Sequence, residues 1–72
     1  MADGSVYIVT ELVGTSTESW EDAALVALRT ASKTLRDLRV AEVLKQDILI
    51  DDDGSVARFR TRISVSFRYD KD

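Results

Sequence analysis

The sequence predicts an α+β domain of order β-α-β-β, with a three-stranded antiparallel sheet in the order 1-3-2 and one long helix across it. Three observations carry that prediction. From Val56 to Tyr69 the chain alternates: Ala57, Phe59, Thr61, Ile63, Val65, Phe67 and Tyr69 share one parity, and Arg58, Arg60, Arg62, Ser64, Ser66 and Arg68 the other. A period of two over this length is a β-strand with one apolar and one strongly polar face. A second stretch, free of glycine and proline, repeats apolar residues at helical spacing, and two further segments are β-rich. If the helix crosses back over the sheet, strands one and two point the same way. A fully antiparallel sheet must then hold strand three between them, and the cleanest alternation belongs to that strand.

The first strand is expected at Val6 to Val13, after a polar, frayed start at Met1 to Ser5. Neither of its faces is plainly polar, so something should pack on each, and Glu11 should find an arginine or a hydroxyl. Gly14-Thr15-Ser16-Thr17-Glu18 ends the strand and starts the helix. Thr15 and Glu18 have capping-box spacing, and Ser16 could equally be the N-cap. The helix is expected from about Thr17 to Leu38, with a bend near Ser32 or Thr34, whose hydroxyls compete for backbone carbonyls. Acidic Glu18, Glu21 and Asp22 come early and basic Arg29, Lys33 and Arg36 late, as the helix dipole favours. Its apolar stripe is Ala24, Leu28, Ala31 and Leu35, widened by Trp20, Ala27 and Leu38.

The second strand, Val40 to Ile50, breaks phase in the middle, and a bulge or bend around Lys45 would repair it. Asp51-Asp52-Asp53-Gly54-Ser55 is a turn with a place for positive φ at Gly54. The last strand follows, and Asp70-Lys71-Asp72 is a tail. The helix should cover the odd face of strand three and leave its arginine face bare. Both outer strands are long, open edges that invite a second copy, so a lone monomer is not expected.

Composition narrows the function. With 72 residues the chain reads as one domain, residues 1–72 with an ordered core of about 6–69, close to the lower limit for a self-sufficient core. It has no cysteine and no histidine, which removes disulfides, thiol chemistry, the usual zinc ligand and the usual general base. The serines have no histidine to activate them, and there is no glycine-rich phosphate loop, so no enzyme is expected. Net charge is -3, the wrong sign for a nucleic-acid module, and the arginine row lacks aromatics on its own face. No stretch approaches the length of a membrane span and no signal-like segment is seen, so the expected setting is the cytoplasm.

The chain resembles the dodecin family from end to end. The resemblance rests on Tyr7-Ile-Val-Thr-Glu-Leu-Val-Gly-Thr-Ser16, Ser19-Trp20-Glu21, Ala31-Ser-Lys-Thr-Leu-Arg36, Ala41-Glu42-Val43 and Ile63-Ser-Val-Ser-Phe67-Arg. It implies a sheet partly wrapping the helix, and a hollow homododecameric shell of cubic-type symmetry that usually binds paired flavins for storage or sequestration. Two flavin contacts do not carry over. Val40 stands where flavin-binding members have the tryptophan that stacks on the ring, and valine has no π-face. Arg60 stands where they have a glutamine, and arginine can only donate. Flavin is therefore not the expected cargo. One branch of the family lacks that tryptophan and is said to chelate calcium. This chain resembles it through Arg39-Val40-Ala41, Gln46-Asp47 and the Arg62 to Phe67 pattern, although Glu42 replaces a more basic residue there.

Calcium takes six to eight hard oxygens, and two acidic features are candidates. The Asp51-Asp52-Asp53 run lacks the spacing of a calcium loop and reads as a solvated turn. Asp47 lies near the proposed bend, and in a symmetric shell one carboxylate near an axis becomes two or three. It is the candidate metal ligand, with an arginine salt bridge as its competing role. Glu11, Glu42 and Asp47 are candidate arginine partners, within the chain or between subunits. Trp20 reads as a core or interface anchor. The expected function is a dodecin-like binding, storage or sequestration shell with its flavin site lost and calcium or another hard cation as ligand. The alternatives are an oligomer without a ligand and a flavin store.

Overall fold

A computed structural model describes residues 4–69. The elements are β1 (Tyr7–Ser16), α1 (Trp20–Ala31), β2 (Leu38–Ile50) and β3 (Val56–Arg68). The sheet has the order β1-β3-β2 with both pairings antiparallel, as the topology argument required. The long strands give a slender molecule, 60 × 20 × 15 Å, whose thin dimension is one sheet and one helix. The tail at 70–72 and the first three residues of the expected frayed start lie outside the described residues.

The largest differences from the sequence-based expectation lie at three boundaries. The first strand continues through Gly14, Thr15 and Ser16, which pair with Thr61, Arg60 and Phe59 of the long central strand. Glycine allows this, because the helix crosses directly above it. A Cβ at Gly14 would collide with the Ala23 carbonyl oxygen and sit 3.0 Å from the Ala27 Cβ. The helix therefore starts later, and neither Thr15 nor Ser16 is its N-cap. Ser19 is, accepting from the Asp22 N–H at 2.9 Å, while the buried Ser16 hydroxyl accepts from the Glu18 N–H and donates to the Asp22 carboxylate.

The helix is also not long: it has 12 residues and stops at Ala31 rather than Leu38. Where a bend was expected, it ends. The Ser32 hydroxyl donates to Arg29 O, and the Thr34 hydroxyl to Ala31 O. The Lys33 and Thr34 N–H groups bond three residues back, tightening the last turn. Asp37 then takes the left-handed conformation, φ 58°, and its carbonyl accepts from the Arg68 N–H. That reversal feeds β2, which starts at Leu38. Lys33 and Arg36 consequently leave the last helical turn to Arg29 alone.

The helix meets the sheet through Ala23, Ala27 and Ala31, one buried residue per turn, with Ala24 and Leu28 packed beside them. Leu35 and Leu38 reach the same core from outside the helix. On the sheet side the core is the middle of the odd face of β3: Thr61, Ile63 and Val65 are at most 1% exposed. The β2 register shifts between Val43 and Lys45, which is the bulge its broken phase called for. Smaller irregularities occur at Leu38/Val40 and Leu49/Ile50. Gly54, φ 86°, carries the turn into β3.

The helix packs chiefly on β1 and β3. Val43 and Ile48 share the helix side of the sheet by register with Ile63 and Phe59, yet they are 54% and 39% exposed. Leu44 in the bulge and Ile50, opposite Val56 on the other side of the sheet, are exposed apolar residues of β2 as well.

Two substitutions test the packing in urea melts. Gly14→Ala should destabilise by about 2 kcal/mol or more, because the Cβ forces helix and strand apart; a loss under about 0.5 kcal/mol, the size of an ordinary surface change, would contradict the close crossing. Trp20→Ala should cost about 2 to 4 kcal/mol, since a half-buried indole and one hydrogen bond are lost; an unchanged midpoint would contradict its anchoring role.

Candidate functional site

The face of the sheet away from the helix is built by the strand register. On β3 it carries Arg58, Arg60, Arg62, Ser64, Ser66 and Arg68. Beside them β1 contributes Thr15, Val13, Glu11, Val9 and Tyr7, and β2 contributes Leu49, Asp47, Lys45, Glu42 and Val40. Across the strands the rows read Thr15–Arg60–Asp47, Val13–Arg62–Lys45 and Glu11–Ser64–Glu42. The three rows thus hold an opposite-charge pair, a basic like-charge pair and two acids, on a face that stays open in a single chain.

Asp47 and Arg60 are directly opposite and form the tightest polar contact on that face. Arg60 Nε donates to Oδ1 at 2.6 Å and Nη2 to Oδ2 at 2.8 Å. This two-pronged pairing matches the planar fork of guanidinium to a carboxylate. The Arg60 hydrogen bonds hold the Asp47 carboxyl below its ordinary value, with the positive charges of Arg60, Lys45 and Arg62 acting in the same direction. Asp47 in turn raises Arg60. Both side chains stay open to solvent, 39% and 42% exposed, so the pair marks a register more than it adds stability. Glu11 finds Arg62 at 3.3 Å, as an interrupted strand face suggested. Glu42 lies across from Ser64 rather than an arginine.

Trp20 ties this face to the core. Its Nε1–H donates to the Asp47 carbonyl at 3.0 Å, and its ring meets Phe59 edge-on with centroids 5.1 Å apart at 71°. Its own carbonyl accepts from the buried Thr61 hydroxyl at 2.8 Å, which explains a threonine in the apolar face of β3. The link from Trp20 to Asp47 has no signature in the sequence, because 27 positions separate them.

Val40 and Arg60, the two positions singled out for flavin, sit on the same face of the same sheet. They are nevertheless far apart. Val40 pairs with Ser66 and Asp47 with Arg60, so six residues of β3, or roughly 20 Å at strand rise, separate them. One ring system cannot touch both within a chain, and any site using both must draw on two copies. Val40 is 61% exposed and borders an apolar hollow of about 200 Å³ with Leu28, Leu38 and Ala41.

The acidic turn is engaged in its own structure. Asp53 Oδ1 accepts from both the N–H and the hydroxyl of Ser55, at 3.0 and 2.6 Å, and these bonds hold its carboxyl below the ordinary value. Among the described residues no three acidic, histidine or cysteine side chains converge for a metal ion. For calcium the donor type at Asp47 fits, since hard cations take carboxylate and carbonyl oxygen. One carboxylate per chain is too few for its six to eight ligands, so a complete site needs several copies.

Where the link after the helix crosses the end of the sheet, a hollow of about 580 Å³ brings Arg36 and Arg68 together with Phe67 and Tyr69. The sequence reading missed this pair, because it kept Arg36 inside the helix. No helix among the described residues is long and apolar enough to cross a membrane.

Comparison with known proteins agrees with this architecture. The dodecin family model matches residues 6–70. The calcium dodecin of Mycobacterium tuberculosis is 42% identical over 64 residues, 89% of either chain. A crystal structure of that calcium-chelating antigen, described as having a novel calcium-binding site, superposes with a TM-score of 0.82 at 40% identity. It covers 93% of this chain and 94% of its own. The dodecin of Streptomyces coelicolor superposes with a TM-score of 0.90 at 35% identity, covering 99% of this chain and all of its own. Sharing strand order, helix placement and this much sequence along nearly its whole length, the chain belongs to the dodecin family.

Proposed function

We propose that this chain forms a hollow cytoplasmic shell of twelve copies that stores or sequesters a hard cation, calcium in the first instance, and that it has given up flavin. The family is a non-catalytic one and the chain is not an enzyme. The observation that carries the cation reading is the change of chemistry at positions 40, 60 and 47. Val40 offers no ring to stack on, and Arg60 is turned onto Asp47 with both prongs of its guanidinium. The flavin positions are thus apolar at one end and self-neutralised at the other. The same face offers Asp47 as an oxygen donor, and the 42% identical relative is named for calcium.

Assembly is supported by the uncovered strip along β2. Val43, Leu44, Ile48 and Ile50 are 39 to 70% exposed, and each buried on association contributes about 25 cal/mol per Å² of apolar surface. Several copies of Asp47 meeting near a symmetry axis would raise the donor count toward what calcium needs. The residue then has to exchange its arginine for the ion. A second reading, anion or nucleotide binding inside the shell, is favoured by the hollow that holds Arg36 and Arg68 beside two aromatic rings.

Native mass spectrometry of ligand-free protein tests assembly and cargo together. A mass near twelve subunits with added mass in calcium-sized steps is the expected result. Twelve bare subunits would favour a structural oligomer without a ligand, and a monomer or dimer would refute the shell. The flavin positions are tested by a gain of function. Val40→Trp combined with Arg60→Gln should confer riboflavin-fluorescence quenching that the unaltered protein lacks. No gain in a folded, assembled double variant would mean that these positions do not compose the flavin site.

A further inference from the structure

The bulged middle of β2 carries two exposed charges that the chain leaves unmatched. Among the described residues Glu42 and Lys45 take part in no ion pair, although both lie on the face where Arg60 meets Asp47 and Arg62 meets Glu11. Lys45 stands opposite Arg62 on β3, a like charge, and Glu42 stands opposite Ser64. Directly opposed like charges are destabilising in a sheet, so an acid brought beside Lys45 from outside the chain would relieve it. The way in is open: β2 is an edge of the sheet, and every residue from position 40 to position 46 is exposed. Within that run Val40, Val43 and Leu44 are 61, 54 and 42% exposed.

Register decides what fits there. Leu44 is the residue that the bulge leaves without a β3 partner, so Glu42, Val43 and Lys45 are consecutive places in the ladder. A second β2 running antiparallel along this edge, about a two-fold axis at Val43, sets Val43 against Val43. The same step sets Glu42 of each copy against Lys45 of the other, on one face. Without the bulge the two charges would lie on opposite faces and could not meet. Charges and bulges on an edge strand ordinarily keep other strands away. Here one acid and one base, placed symmetrically about Val43, repel a strand of either single charge and match a copy of this chain.

We propose that β2 pairs edge to edge with β2 of a second copy, antiparallel about Val43, and that two reciprocal Glu42–Lys45 ion pairs fix the register of the contact. This rests on the assembly reading above and names a surface that builds it. The contact is isologous, so one set of residues supplies both halves. It covers Val43 of both copies and pairs backbone groups that the edge leaves free. The same register sets Val40 of one copy beside Asp47 of the other, in the row that Arg60 continues. Val40 and Arg60, so far apart within one chain, then stand two strand spacings apart, about 10 Å, across the contact. A site that needs both positions is thereby composed from two copies.

The test is the assembly state of the full chain, followed by native mass spectrometry over a dilution series, with circular dichroism checking that each variant folds. Glu42→Lys sets bases against bases at the contact, and Lys45→Glu sets acids against acids. Either variant alone should need roughly tenfold more protein for half-assembly. Mixing the two, one of them isotopically labelled, restores two opposite-charge pairs at every mixed contact. Assembly should then return to the concentration of the unaltered protein, with both labels in one particle. If a reversal does not fold, Glu42→Gln and Lys45→Gln carry the test: each alone should weaken assembly, and their mixture, which keeps one full pair per mixed contact, should recover part of it. Unchanged half-assembly in the single variants would overturn the contact while leaving the shell intact. A loss that mixing does not recover would overturn it too, by placing the two residues at different contacts. A monomeric unaltered protein would refute the shell and this contact together.

Discussion

One short helix cannot cover three long strands, and most of this molecule follows from that mismatch. Twelve residues of helix span about 18 Å, whereas the 13 residues of β3 span about 43 Å. A helix about 10 Å across also lies over two strands more readily than three. It therefore settles on β1 and β3, where the chain gives it alanines and a glycine to approach closely. The helix side of β2 and the whole opposite face of the sheet are left to something else. The core that results is small: Ile63 and Val65, with Thr61 and three alanines, hold its buried centre. A chain this size that leaves apolar strand surface bare has little buried core to offset the entropy of ordering it.

The joint between helix and sheet is also the support of the candidate site. The Thr61 hydroxyl binds the Trp20 carbonyl, the Trp20 ring leans on Phe59, and the Trp20 N–H binds the Asp47 carbonyl. Packing on the covered face is thereby transmitted to a residue on the open face. Asp47 is thus held through its main-chain carbonyl as well as through its charge. The bulge between Val43 and Lys45 puts Asp47 opposite Arg60. Without that extra residue every side chain beyond it would project to the other side.

Val40 and Arg60 are the two positions that the family resemblance marked for flavin. Both lie on the side of the sheet away from the helix, where their side chains do not enter the core. The arginine would be an isolated positive charge, and it is neutralised across the strand pair by Asp47. Alanine spacing, Gly14 and the β3 alternation hold the fold together on the helix side, so the side chains of the open face are not constrained by that packing.

The amino-acid sequence by itself determined the element order, the central place of β3, the bulge near Lys45, the Gly54 turn and the bareness of the arginine face. These follow from local periodicity and from steric rules that act over a few residues. It also marked Val40, Arg60 and Asp47 through their place in a family pattern. Only the tertiary structure decided where the first strand ends and the helix begins and stops. Gly14, Thr15 and Ser16 looked like a strand end, yet they stay in the sheet because the central strand is long enough to pair with them. Ser32 and Thr34 were expected to bend the helix, yet they end it because the chain must reverse there to enter β2. The choice of Asp47 as the partner of Arg60, and the 20 Å between Val40 and Arg60, are likewise properties of strand register. Register joins residues distant in the chain through pairing energies summed over whole strands, and no local window of sequence contains that sum.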